Sequence, residues 1–301
     1  MSEREEHLAG FTPRDFIIAG VMNLMWGLNL IAVKMGVDLI SPLAAAWLRQ
    51  TMVLVICLPA LRIIPGKMRE LLSLGVLSGA LFYIFVNFSL VVTDNIGSLA
   101  IAGQLGAPFS LILAIIFLGE RVQKFRMIGM ALAMLGVVVL VFDPAAVNEE
   151  LGIALTAVAS LIWAICSLIQ RRLRGVPVLT IYAWVGLCGS VALLPVTAVF
   201  EPGAIASLRH VPLSSFGWIL FSAVGSTVIG QGAMSLLLQR HPVSSVVPLT
   251  FLAPVIAVVA SAWFFDQPMT PVMIIGGLTV LAGVAIVTIR TARASESQPR
   301  S

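Results

Sequence analysis

The residues of this chain that could do chemistry are mostly uncharged, and they recur at helical spacing. Asn23, Trp26 and Asn29 fall on one face about 120° wide at 100° per residue. Gly79, Tyr83 and Asn87 stack every fourth position, as do Thr227, Gln231 and Ser235. Thr156, Ser160, Trp163 and Ser167 share a narrower stripe. Gln104 is followed by Pro108, and Thr250 by Pro254. Asn and Gln are costly against lipid, so these faces should turn inward. Ser and Thr in such stripes commonly bond their own backbone; the Asn, Gln, Tyr and Trp set reads better as the wall of a cavity. Amide groups and indole faces suit a neutral or zwitterionic solute of modest size. An ammonium would lie on Trp26 or Trp163, and a carboxylate on an amide or a proline-broken helix end.

One cation accompanies this set. Arg49 stands eight residues into an apolar stretch, about 12 Å down a helix axis at 1.5 Å per residue. It is either an anchor for a carboxylate or phosphate, or a structural cation satisfied by carbonyls, Gln50 or Asn87. The fourteen acidic residues all lie at the edges of apolar stretches or between them. Proton antiport or cation export through a deep carboxylate is therefore disfavoured. His7, His210 and His241 fall in a tail and two loops and read as ordinary surface residues. With no nucleophile–base pair, metal cluster or nucleotide-binding loop, neither an enzyme nor a cofactor is expected. Cys57, Cys166 and Cys188 are odd in number and read as small buried hydrophobes.

The elements that must hold these residues follow from composition. Of 301 residues 59 % are hydrophobic and 11 % charged, with a mean hydropathy of +1.04. A soluble globule cannot hide that much apolar side chain. A stretch of about 20 apolar residues crosses a bilayer, and ten can be marked off. The first five are Phe16–Val33, Pro42–Leu61, Leu71–Val92, Gly97–Leu118 and Phe125–Phe142. The second five are Leu151–Ile169, Val178–Phe200, Phe216–Leu237, Val243–Phe265 and Pro271–Ile289. They do not alternate as barrel strands do, so the fold is an all-α membrane protein. The first span reads as retained rather than as a cleaved leader, because four acids precede it and no small-residue cleavage site follows. Residues 1–15 are then a cytoplasmic tail, and 290–301 a disordered one. Fifteen Lys and Arg fall on the N-terminal side of the membrane and two, Lys34 and Arg209, on the other. Both termini are therefore inside. That scatter also explains the net charge of +4 without nucleic acid.

The two halves repeat. At an offset of 146 residues Ala107-Pro108 meets Ala253-Pro254, Met127-Ile128 meets Met273-Ile274, and Glu120 meets Asp266. At 137, Trp26 meets Trp163 and Ala46-Trp47 meets Ala183-Trp184. The repeats are then residues 16–142 and 151–289. Five spans per copy is an odd number, so the second copy is inverted, the architecture of many secondary transporters.

These features carry a resemblance to the EamA-type branch of the drug/metabolite transporter superfamily. It rests on Gly103-Gln104-Leu105-Gly106-Ala107-Pro108, on Leu118-Gly119-Glu120-Arg121 and the glycine-rich helix after it, and on Leu252-Ala253-Pro254 through Asp266. Trp26-Gly27 in the first helix also fits, while Asp266 and Gln267 depart from the usual glutamate and basic residue. Within that branch the chain looks most similar to YddG-type amino-acid exporters. The resemblance implies a multi-pass inner-membrane exporter of small metabolites, amino acids foremost. The inverted repeat points to alternating access, and Pro108 and Pro254, which match across it and each free a carbonyl one turn back, are expected to bend their helices as gates. An exporter of hydrophobic drugs or other metabolites, and a non-transporting membrane scaffold or receptor, are the competing readings. The expected partners are a small-molecule substrate and the lipid bilayer, and a monomer would suffice.

Overall fold

The computed structural model describes residues 11–37, 40–92, 102–120, 122, 124–141, 150–264 and 271–296. Among these residues the regular structure is entirely helical. Helices α1 (Pro13–Val37), α2 (Pro42–Ala60), α3 (Met68–Val91), α4 (Gly106–Leu118) and α5 (Lys124–Val141) form the first half. Helices α6 (Glu150–Arg172), α7 (Val178–Phe200), α8 (Leu213–Arg240), α9 (Val243–Phe264) and α10 (Pro271–Glu296) form the second. Among the described residues seven stretches are long and apolar enough to cross a membrane, in α1–α3 and α6–α9. Gly106–Leu118, Met127–Val139 and Ile274–Ile286 are shorter apolar helices. The expected start of the fourth span at Gly97 lies outside the described residues.

Local chemistry sets the helix ends. Pro42 opens α2 behind an extended Ser41, where its missing N–H is no loss. Gly119 closes α4 at φ +65°, the left-handed conformation that favours glycine. The N-terminal tail ends earlier than expected. Thr12 donates its N–H and hydroxyl to Asp15 Oδ2 at 2.9 and 2.7 Å, and Asp15 N–H donates to Thr12 Oγ1 at 3.3 Å. This reciprocal cap starts α1 at Pro13. At the other end α10 runs on to Glu296, where a disordered tail was expected from 290. Propagating an existing helix through Arg290-Thr291-Ala292-Arg293-Ala294 costs little. Residues 297–301 lie outside the described set.

The packing is repeat-symmetric. α1 lies against α8 and α9, and its counterpart α6 lies against α3 and α4, so each half lends its first helix to the other. α2 packs on its counterpart α7, and α5 on its counterpart α10. Glycines show how tight the last contact is. A Cβ on Gly136 would come within 2.5 Å of Val280 N and 2.8 Å of Gly276 O; one on Gly283 would come within 2.4 Å of Ala133 N and 2.6 Å of Gly129 O. Gly129, Ala133 and Gly136 thus mirror Gly276, Val280 and Gly283, a self-complementary contact of the kind a two-fold axis creates. Gly75 and Gly79 likewise let α3 press on α7, beside Cys188 and Val185 O. Both halves also carry a π-helical stretch at the same place, Leu77–Leu81 in α3 and Ser222–Gln231 in α8.

Among the described residues two of the four apolar cores are large. One gathers Met22, Leu111, Val137, Leu237 and Phe251; the other Leu71, Ile162, Ile181 and Tyr182. Outward faces carry Ile17, Val191 and Trp263, which suit lipid and not water.

One end of the bundle is tied shut by polar groups. Glu120 takes the Val243 and Ser244 N–H groups at the start of α9 at 2.8 and 2.9 Å. Arg171 Nη1 donates to the Leu238 and Gln239 carbonyls at the end of α8. Arg240 pairs with Asp15 at 3.3 Å. His241, expected as an ordinary surface residue, is 5 % exposed. Its Nε2 stands 3.2 Å from Asp15 Oδ2, and the ring packs tilted against Phe11 with centroids 4.4 Å apart. Burial lowers the His241 pKa against the pull of Asp15, with Arg171 and Arg240 adding to the lowering.

Candidate functional site

A cavity of about 420 Å³ lies between the halves, within the ~300–1,000 Å³ range of small-molecule sites. α1 supplies Trp26, Asn29 and Val33; α2 supplies Pro42, Ala45 and Arg49. α3 brings Phe82, Tyr83 and Asn87, and α6 brings Trp163. α8 completes the wall with Trp218, Ser222, Ser226 and Gln231. The lining runs from mid-helix toward the end where α1 and α3 finish and α2 and α8 begin. That is the end opposite the Glu120 and Asp15 ties.

Glycines seat the two tryptophans. A Cβ on Gly230 would lie 2.8 Å from the Trp26 ring, and one on Gly106 would lie 3.0 Å from the Trp163 ring. Trp26 Nε1 also donates to Ser226 O at 3.3 Å. Asn29 Oδ1 accepts the Ser222 hydroxyl at 2.6 Å, leaving its NH₂ for the cavity. Asn87 Nδ2 donates to Tyr83 O one turn back at 2.7 Å, leaving Oδ1 free to accept.

Arg49 crosses from α2 to α8. Nε donates to Thr227 Oγ1 at 2.8 Å and one Nη to Ser226 Oγ at 3.2 Å. The guanidinium carbon sits 5.4 Å from the centre of the Tyr83 ring, a cation–π distance. Its partners are therefore these three and not Gln50 or Asn87. Gln50 is instead fully buried against α7, with neither side-chain polar atom bonded. Among the described residues lining the cavity none is acidic.

Of the expected set, Trp26, Asn29, Arg49, Tyr83, Asn87, Trp163 and Gln231 converge on this cavity. Asn23 does not. It is fully buried, donates to Ala19 O at 2.7 Å, and leaves Oδ1 without a partner. Gln104 lies in a half-buried turn before α4 and is not part of the lining. Pro108 and Pro254 both stand third in their α-helical segments, Gly106–Leu118 and Leu252–Phe264. A first-turn proline removes no α-helical hydrogen bond. The departure from α geometry lies just before each one, as the Gln104-Leu105 turn and the 3₁₀ stretch Val247–Phe251. Trp218, Ser222 and Ser226 were not anticipated. The π stretch of α8 shifts them onto the cavity face, and a 100° wheel does not show it.

A helical bundle with lipid-suited flanks, repeat-symmetric packing and a central cavity defines a polytopic membrane transporter. The chain belongs to the EamA-like transporter family, whose model matches it twice, over residues 16–142 and 150–289. It is similar to a protein of Escherichia coli (strain K12) described as a probable amino-acid metabolite efflux pump. The two are 26 % identical over 288 residues, 91 % of this chain and 94 % of that one. It is similar also to an uncharacterized transporter of Archaeoglobus fulgidus, 29 % identical over 280 residues, covering 91 % and 98 % of the two chains. A solved crystal structure of an 18 % identical protein shares the fold with a TM-score of 0.80, over 94 % of this chain and 99 % of that one. The protein is a transporter, multi-pass in the inner (plasma) membrane.

Proposed function

We propose that the protein is a secondary transporter that exports small neutral or zwitterionic metabolites, amino acids foremost, by alternating access. Ten spans in two inverted five-helix repeats carry it, with both termini in the cytoplasm. The exchange of α1 and α6 between halves supports the repeat, and the fifteen-to-two split of basic residues supports the orientation. In that orientation the cavity faces outward, and the Glu120, Arg171 and Asp15 ties close the cytoplasmic end.

The observation that carries the reading is the cavity wall, whose described residues give three indoles, Tyr83, the Asn29 and Asn87 amides, Gln231 and a single cation. Arg49 anchors the solute carboxylate, and Trp26 and Trp163 hold its body. Pro108 and Pro254 fix the hinges at which α4 and α9 leave α geometry, so that one half closes as the other opens. The printed names of the Escherichia coli relative and of a 26 % identical probable terminal-alkyne amino-acid exporter point to the same substrate class.

Counterflow in proteoliposomes tests it. Vesicles holding the full chain and loaded with unlabelled amino acids should accumulate a labelled one, with several amino acids competing. Inhibition by amphiphilic drugs alone would favour hydrophobic-drug export. Vesicles impermeable to every solute would leave a scaffold.

A further inference from the structure

Among its described lining residues the cavity is charged in one sense only, and this bears on which end of an amino acid it reads. Arg49 spends Nε and one Nη on the Thr227 and Ser226 hydroxyls, and among the described residues its other Nη has no partner. The hydroxyl bonds fix the guanidinium plane, and the Tyr83 ring backs it. What remains is an edge of the guanidinium, the geometry that takes a carboxylate in two parallel hydrogen bonds. Asn29 NH₂ is a further donor on the same wall.

An ammonium finds no such match. Among the described lining residues none is acidic, and the amide acceptors on the wall, those of Asn87 and Gln231, are neutral. The Tyr83 face is taken by Arg49 itself, which leaves the indole faces of Trp26, Trp163 and Trp218. A buried charge without a counter-ion is expensive, whereas a carboxylate entering this site neutralises it. We propose that the carboxylate is the obligatory handle and the free amine a dispensable one, so that the site accepts small aromatic or apolar monocarboxylates at least as well as the corresponding amino acids. This rests on the cavity being the solute site, as argued above.

Three ligands of one side chain isolate the two charges: 3-phenylpropionate, L-phenylalanine and L-phenylalaninol. Their binding to the full chain in lipid nanodiscs is measured by calorimetry at neutral pH. 3-Phenylpropionate should equal or exceed L-phenylalanine, and L-phenylalaninol should be weaker by about tenfold or more. In Arg49→Gln the two carboxylates should fall to within roughly threefold of L-phenylalaninol, while Arg49→Lys keeps the order. Because all three carry the same aromatic side chain, Trp163→Ala should weaken them alike and keep their order, whatever it does to the preference between aromatic and other side chains. L-Phenylalaninol binding as tightly as 3-phenylpropionate in the wild type would overturn the proposal, and needs no variant to fold. So would an order unmoved in Arg49→Gln, or no binding by any of the three. Counterflow measured alongside separates the two claims. Binding in the stated order without counterflow rejects transport and keeps the carboxylate handle, whereas counterflow indifferent to Arg49 does the reverse.

Discussion

Trp163 rests on the bare backbone of Gly106, and Trp26 on Gly230, so each indole is held by a missing side chain on a neighbouring helix. Such a seat fixes the ring without filling the space in front of it, which suits a ring meant to meet a ligand. Trp163→Ala should weaken aromatic solutes by about 1–2 kcal/mol, roughly five- to thirtyfold, and change the preference among solutes. Competition among several amino acids in folded protein checks this; an unchanged order would make the indole mere packing. His241 makes a different prediction. Its pKa is lowered in the folded chain from an ordinary 6.5, chiefly by burial. Its contribution to stability is then full above about pH 6.5 and is lost as pH falls through the lowered value, because the unfolded chain takes up the proton first. Between about pH 7.5 and pH 5 the wild type should lose more melting temperature than His241→Gln. Equal losses would show that the imidazole stays uncharged, or is charged at no cost.

Elements explain what the sequence could and could not convey. Gly136 and Gly283 allow α5 and α10 to touch backbone to backbone, and Gly136→Ala should destabilise by about 1–3 kcal/mol or force the helices apart. Gly277→Ala is the control, since its Cβ would meet only Val255 at 3.7 Å. Thermal unfolding in one detergent distinguishes them, and equal midpoints would refute the close contact. The 146-residue offset found in the sequence pairs Gly136 with Ala282, one residue short of the mirror the structure makes with Gly283. Apolar helices match one another at many offsets, and only packing selects the right one. The same limit governs the site. Trp26, Asn29, Tyr83 and Asn87 were legible because regular helix carries them at constant angular steps. Ser222 and Ser226 were not, since the π stretch Ser222–Gln231 takes in extra residues per turn and rotates the face. Asn23 misled for the opposite reason: it shares the right face, yet its amide turns back to Ala19 O. Helix starts at Thr12 and Asp15 were readable as a capping pair, but the acidic residue looked like part of a charged tail.

At the scale of the molecule, the two halves are joined at opposite ends by the same device. Glu120 of the first half holds the start of α9, and Glu201 of the second holds the start of α2, through Leu43 and Ala44 N–H at 2.9 Å. Each carboxylate meets paired N–H groups at a helix N-terminus, where charge-assisted bonds are worth about 1.5–3 kcal/mol apiece. If the proposed orientation and alternating-access cycle hold, the Glu120 ties must part in each cycle, so weakening Glu120 should raise the inward-open population. Glu120→Gln keeps the shape and loses one acceptor, which shifts the balance roughly 10- to 100-fold. A reporter is available one turn below Gln231, where Ser235 is fully buried. In a background with Cys57, Cys166 and Cys188 replaced, Ser235→Cys should react slowly with a maleimide applied from the cytoplasmic side, and faster by that factor when Glu120→Gln is added. Arg209→Cys and Ala45→Cys should react with an impermeant reagent from outside, and Lys124→Cys only from inside. Labelling of Lys124→Cys from outside would reverse the orientation and with it the assignment of the closed end. An unchanged Ser235→Cys rate, with orientation as stated, would mean that Glu120 braces α9 in both states, leaving the opening of this end to Arg171 and the Asp15–Arg240 pair.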